Sequence, residues 1–345
     1  MCRGEIGEYP LVTEAAGWDN VRQMRVVLRH LCLLLVLALV VTLGACREES
    51  LDAPPVTDQS PGSADSASPS ATASEPPQHP SGAKGSIAFQ SNRDGDNDIY
   101  VFDLDSGEIL NVTDEDLDDY HPEWSPDGDR IVFARADGID LDLFSVDRSG
   151  QDVEQLTHDT SNEDFPEWSP DGAWIAFTSD RSGSNDIYVM RPDGSGARPV
   201  VKSKGQDVAP SWSPDGSSLV FQTDRSSTFD LYVVDLATGR QTPLVDTKHG
   251  EDEFPSWGDR IAAMVTNVRG NFEVTAFDSD GSGGTLVTRN GAGWPDWSPD
   301  GRFLAIASPR SGNSEIYIVN AFGAREVNIT NDPAQDEFPA WSPHS

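Results

Sequence analysis

From Ser86 onward, short apolar runs alternate with polar turns, and the alternation itself repeats. Each unit reads as a strand ending in Trp, a tight turn, an apolar strand, a polar loop, a second apolar strand, another turn and a last strand. The first apolar strand occurs as Ile87-Ala88-Phe89, Ile131-Val132-Phe133, Ile175-Ala176-Phe177, Leu219-Val220-Phe221, Ile261-Ala262-Ala263 and Leu304-Ala305-Ile306. The second carries Ile99-Tyr100-Val101, Leu143-Phe144, Ile187-Tyr188-Val189, Leu231-Tyr232-Val233, Val274 and Ile316-Tyr317-Ile318. Branched and aromatic residues of this kind suit a packed, pleated surface.

The turn between the Trp-ended strand and the first apolar strand is WSPDG at 124–128, 168–172, 212–216 and 297–301, with worn copies at Trp257 and Trp341. Proline fixes φ at the second turn position and glycine relieves the exit. The Trp spacings are 44, 44, 45, 40 and 44 residues, the period of propeller blades. The array begins at the second strand of a unit and ends with an orphan first strand, Phe338-Pro339-Ala340-Trp341. Laid beside Ser86–Phe89, that strand completes the first blade and leaves no open edge between first and last. The predicted fold is all-β, a six-bladed β-propeller over residues 85–345 closed by the C-terminal strand, and it is expected to be monomeric.

The best-preserved unit, Phe165 to Val189, strings together Pro-x-Trp-Ser-Pro-Asp-Gly, Ile-Ala-Phe, Asp-Arg-x-Gly and Asp-Ile-Tyr-Val. This resembles the TolB-like propeller repeat, and the resemblance covers residues 86–343. It implies a propeller fold and a binding role in the cell envelope. In TolB itself an α/β domain precedes the propeller, whereas this chain has a different leader, so the role of TolB in its own system is not carried over.

Ahead of the propeller, Met24 opens a basic start (Arg25, Arg29) followed by an apolar run from Leu31 to about Leu43. The run is shorter than the roughly 20 residues of a spanning helix and suits a secretory signal peptide over 24–45. Residues 1–23 carry Glu5, Glu8, Glu14 and Asp19, which do not suit a signal start, so translation is expected to begin at Met24. Leu43-Gly44-Ala45-Cys46 resembles the lipobox of bacterial lipoproteins, which implies lipidation at Cys46 and anchoring outside the cytoplasm. Residues 46–84, rich in Pro, Ser and Ala, are expected to form a disordered tether.

Acidic residues outnumber basic ones 58 to 24, for a net charge of −34. Such a surface repels phosphate backbones and argues against a nucleic-acid partner. The three cysteines, at 2, 32 and 46, precede the propeller, so no disulfide or thiolate metal site operates in the fold.

Counting back from each Trp exposes candidate functional residues. The Trp residues themselves, at 124, 168, 212, 257, 297 and 341, are read as core. Five residues earlier stand Asp119, Glu163, Asp207, Asp252, Ala292 and Asp336; two earlier is always Pro. The five carboxylates are expected to ring one mouth of the central channel. They either pair with the recurrent Arg93, Arg181, Arg225, Arg269 and Arg310 or hold a cation such as Ca²⁺, with water bridging the width of the channel. Three residues before Trp the series is His121, Phe165, Ala209, Phe254, Trp294 and Phe338. The sixth unit has lost its acid and sets Trp294 beside Gly293, a break in symmetry suited to a sugar or a partner's side chain.

The loops DGDND at 94–98 and DSDGSGG at 278–284 lack the full calcium-loop pattern and read as hairpin turns. No nucleophile elbow is present. The expected function is an envelope protein or glycan-binding platform without catalytic activity, with Asp119, Glu163, Asp207, Asp252, Asp336, His121 and Trp294 as candidate contacts. The alternative is a metal-dependent propeller enzyme, a lyase or hydrolase of envelope polysaccharide or peptide, using His121, His158 and His249.

Overall fold

The computed structural model describes residues 80–343, apart from 137, 139, 246–249, 267–271 and 290. The leader, Cys46, most of the tether, His249 and Arg269 lie outside the described residues. Six antiparallel sheets of four strands each make up the fold. Blade one combines Ser86–Ser91, Asp98–Asp103 and Ile109–Asn111 with the C-terminal strand Asp336–Trp341. The strand ending in Trp is innermost in every blade: Asp119–Trp124 in blade two, Glu163–Trp168, Asp207–Trp212, Asp252–Trp257 and Gly293–Trp297 in blade six. The closure predicted from the orphan strand is present, with Ile87 opposite Trp341 and Ser91 opposite Asp336.

The repeated turn has a local cause. Ser125 Oγ donates to Asp127 (2.6 Å) and accepts the N–H of Arg130 (2.9 Å), while Gly128, at φ 71°, donates its N–H to the Ser125 carbonyl (2.8 Å). Ser169, Ser213 and Ser298 repeat the arrangement. Serine at the first position and aspartate at the third therefore close the hairpin from within, and glycine supplies the left-handed exit.

The apolar strands meet their neighbours in six clusters, each drawn from two adjacent blades. Phe89, Phe133, Phe177 and Phe221 are fully buried within them, and each such ring contributes about 1.5–3 kcal/mol. The six Trp residues join the same clusters, Trp168 and Trp257 less deeply than the others. Turns tie blades together as well. A Cβ on Gly194, at φ 77°, would run into the carbonyl oxygen of Leu156 in the preceding blade, and Gly281 and Gly323 stand in the same relation to Leu244 and Val287.

One boundary moves. Residues 80–84, assigned above to the tether, are folded onto the propeller: the N–H of Ala83 donates to the Pro80 carbonyl (3.0 Å), Ala83 is buried, and Trp341 Nε1 donates to the Lys84 carbonyl (2.9 Å). Trp341 also stacks on Phe303 of blade six at 6.4 Å. Since this residue joins the first blade to the last, Trp341→Ala is expected to cost about 3–5 kcal/mol. Urea unfolding followed by tryptophan fluorescence checks this; an unchanged midpoint would show that closure does not depend on the ring.

Candidate functional site: the channel mouth

Each innermost strand breaks its pairing in the same place. The register shifts between Tyr120 and Glu123, Asp164 and Glu167, Val208 and Ser211, Glu253 and Ser256, and Gly293 and Asp296, one residue being inserted against the neighbouring strand. The bulge holds the residue three before Trp and the proline after it. That residue is left-handed in all six blades: His121, Phe165, Ala209, Phe254, Trp294 and Phe338 have φ between 48° and 52°. Left-handed backbone is uncommon for large side chains, and each instance costs of order 1–3 kcal/mol unless its surroundings hold it. Neighbouring blades help to hold it here. The N–H of His121 donates to Gln90, that of Ala209 to Thr178 (3.1 Å) and that of Phe254 to Gln222 (2.6 Å). Proline is tolerated because the strand is an edge at this point.

The bulges bring five rings together at one mouth of the channel. His121 stacks on Phe165 at 4.0 Å and meets Phe338 edge-on at 4.2 Å; Trp294 lies 4.6 Å from Phe338 and 6.2 Å from Phe254. His121 Nδ1 is held by Asp164 at 2.5 Å. Trp294 is thus one member of an aromatic rim and not an isolated ring at a gap, as the sequence suggested. The rim is interrupted in blade four, where Ala209 stands at the same register.

The five carboxylates two residues before these positions do not ring the mouth. Asp119, Glu163, Asp207, Asp252 and Asp336 are all 0% exposed. Arg135 grips Asp119 with two bonds of 2.7 and 2.8 Å; Arg181 meets Glu163 at 3.0 Å, Arg225 meets Asp207 at 2.8 Å and Arg93 meets Asp336 at 2.9 Å. Each described guanidinium also lies over an aromatic ring of its own blade. The bulge explains the difference, because it turns the residue five before Trp into the blade and away from the lumen. A shared cation among these five does not fit this geometry. In blade two the pairing arginine comes from a strand, at 135, and not from the loop.

The acids that do face the lumen are one residue before Trp. Glu123, Glu167 and Asp296 line a cavity of about 130 Å³ together with Ser211, Ser256 and the six prolines. Glu167 accepts the N–H of Trp212 (2.8 Å) and the hydroxyl of Ser211 (3.1 Å); Asp296 accepts the N–H of Trp341 (2.6 Å) and the hydroxyl of Ser256 (2.9 Å). These bonds run from blade to blade around the channel. Burial, then the neighbouring Asp296 and Glu167, push the Glu123 carboxyl well above the usual carboxylate range. Burial likewise raises Glu167 to about 8 and Asp296 to about 6. Sequence reading passed over this register, although Glu, Glu, Ser, Ser, Asp and Ala recur there.

Metal chemistry at histidine finds no constellation among the described residues. The group that brings three ligating atoms within 4.8 Å of one another is Asp94, Asp98 and Asp114, at the DGDND loop. Two of its three carboxylates accept hydrogen bonds: Asp94 from Tyr100 and Asn111, and Asp98 from Asn111.

These features define a closed six-bladed β-propeller with an aromatic rim over an acidic lumen. The chain belongs to the TolB β-propeller domain family, whose model matches residues 76–258 and 166–292. It is 30% identical over 75 residues to the Tol-Pal system protein TolB of Geobacter sulfurreducens, covering 21% of this chain and 17% of that protein. To the protein of the same name from Xanthomonas campestris it is 33% identical over 111 residues, 26% of this chain and 24% of the other. These matches span about a quarter or less of the relatives' own length. The crystal structure of TolB from Acinetobacter baumannii superposes with a TM-score of 0.66 over 75% of this chain and 67% of that one, at 21% identity.

The lumen acids set a pH dependence. Their folded pKa values are raised, so the folded state holds protons that the unfolded chain has released, and stability falls as pH rises from about 4.5 to about 8. Glu167→Gln keeps an oxygen for the Trp212 N–H and removes the charge. It is expected to flatten thermal stability across this range and raise stability at pH 8 by about 1–2 kcal/mol. A variant as pH-sensitive as the parent would place the titration elsewhere.

Proposed function

We propose that this chain is a lipid-anchored protein of the cell envelope that captures a protein or glycan ligand at the aromatic mouth of its channel, without catalysing a reaction. The observation that carries the reading is the rim itself. Five rings are held at one mouth by left-handed backbone in every blade, and backbone strain held in place by its surroundings concentrates at functional sites. Large, partly exposed aromatic side chains dominate the energetics of binding surfaces. Membership of the TolB propeller family supports an envelope partner, since matched relatives carry the name of the Tol-Pal system. The lipobox resemblance at Cys46 supports the anchor, and the acidic surface argues against nucleic acid. His121, committed to Asp164 and stacked on Phe165, is a rim residue in this reading and not a metal ligand.

Photo-crosslinking in intact cells tests it. A crosslinker at Phe165 is expected to trap a discrete partner, and one at Phe322, exposed at the opposite margin of a blade (81% exposed), is not. Trp294→Ala and Phe254→Ala are each expected to weaken that capture at least about tenfold. Equal trapping from both positions, or capture indifferent to both substitutions, would remove the mouth as the site. Cys46→Ser is expected to move the protein from the membrane to the soluble fraction.

A further inference from the structure

Blade four shows a complete arginine unit. Arg225 lies 4.6 Å over the Tyr232 ring and its Nε donates to Thr223 Oγ1 at 3.0 Å. Its Nη1 donates outward to Gln241 at 2.7 Å, 16 residues further along, and its Nη2 donates inward to Asp207 at 2.8 Å, 18 residues back. Blade six repeats this unit at the same intervals. Arg310 lies 4.7 Å over Tyr317, its Nε donates to Ser308 Oγ at 2.9 Å, and its Nη1 is engaged by Glu326, again 16 residues on.

The inward partner is what differs. Eighteen residues before Arg310 (310 − 18 = 292) stands Ala292, buried. The strand has not slipped to compensate: Gly293 faces Ala307 just as Val208 faces Gln222 in blade four. Arg310 Nη2 is buried and makes no hydrogen bond. Glu326 does not fill the place, since it occupies the other nitrogen and is itself 31% exposed, where its charge is screened. Burial pulls the Arg310 guanidinium below the usual arginine range. Its counterpart Arg135 is raised: burial opposes its charge, and Asp119 outweighs that.

We propose that the space vacated by the missing carboxylate, between Arg310 Nη2 and Ala292, is a binding site for a small monovalent anion. The guanidinium is fixed on three sides by Tyr317, Ser308 and Glu326, so its free N–H groups are already aimed and cost little to order. The missing group is one carboxylate, which limits the occupant to an ion of about that size. A buried guanidinium N–H group without an acceptor is unfavourable, and an anion seated there restores the inward ion pair found in blades one to four. The net charge of −34 works against any anion, so binding is weak and responds to concentration. This site is independent of the proposed ligand at the mouth.

Thermal unfolding of the full chain in sodium chloride and in sodium gluconate, at matched ionic strength between about 10 and 500 mM, is the test. Gluconate, a six-carbon polyhydroxy acid, is far larger than the single carboxylate it would have to replace. The melting temperature is expected to rise about 2–4 °C more in chloride than in gluconate. Ala292→Asp is expected to erase that difference while melting at or above the parent temperature, because it rebuilds the pair. A chloride effect that survives in Ala292→Asp would overturn the proposal. Should that variant fail to fold, crystals of the parent soaked in bromide decide the question: an anomalous peak beside Arg310 Nη2 supports the site, and no peak there overturns it.

Discussion

One backbone device organises the molecule: a left-handed residue followed by proline, placed in the innermost strand of every blade. A regular strand would send residues five, three and one before Trp to the same face. The bulge breaks that alternation. The residue at five turns into the blade and pairs with arginine, the residue at three turns to the mouth, and the residue at one looks into the lumen. Acidic groups consequently occupy two different environments a few residues apart. Asp119, Glu163, Asp207 and Asp336, at five, are neutralised by a guanidinium; those at one face the channel and hold on to protons.

The lumen acids are also ties between blades. Glu167 receives the backbone of Trp212, Ser211 that of Trp257 and Asp296 that of Trp341, so the hydrogen bonds pass the chain's connectivity around the ring at its narrowest radius. Apolar clusters do the same further out. A ligand that reached the lumen acids would therefore compete with bonds that hold neighbouring blades in register, and binding there would be felt by the whole ring.

Much of this was legible in the sequence, because repetition makes the pattern loud. Blade number, strand order and closure by Phe338–Trp341 follow from the Trp interval and the orphan strand. The destination of the acids did not follow. Asp119 and its equivalents are recognisably a register, but their direction depends on a bulge that alternation rules do not announce. Its signal was the constant proline two before Trp, in mid-strand, where proline is tolerated at edges and bulges. The missing acid of blade six points to Trp294, whereas the odd member of the rim is Ala209. The loop register does not point to Arg135, which reaches the same place from a strand. Residues 80–84 were assigned to the tether on composition, which cannot register that Ala83 and the Lys84 carbonyl pack against Trp341.

The closing blade has a mechanical consequence. The strand Ser86–Ser91 lies between the C-terminal strand and Asp98–Asp103, antiparallel to both, and the chain enters it from residues 80–84. A pull along the axis of that strand loads the ladders on both sides in shear, so that they must yield together, whereas a pull across them would open one bond at a time. The N–H of Ser86 bonded to Ser342 Oγ and Trp341 bonded to Lys84 lie where such a load arrives first. The blade that seals the ring is thus also one that resists a load along its own strands.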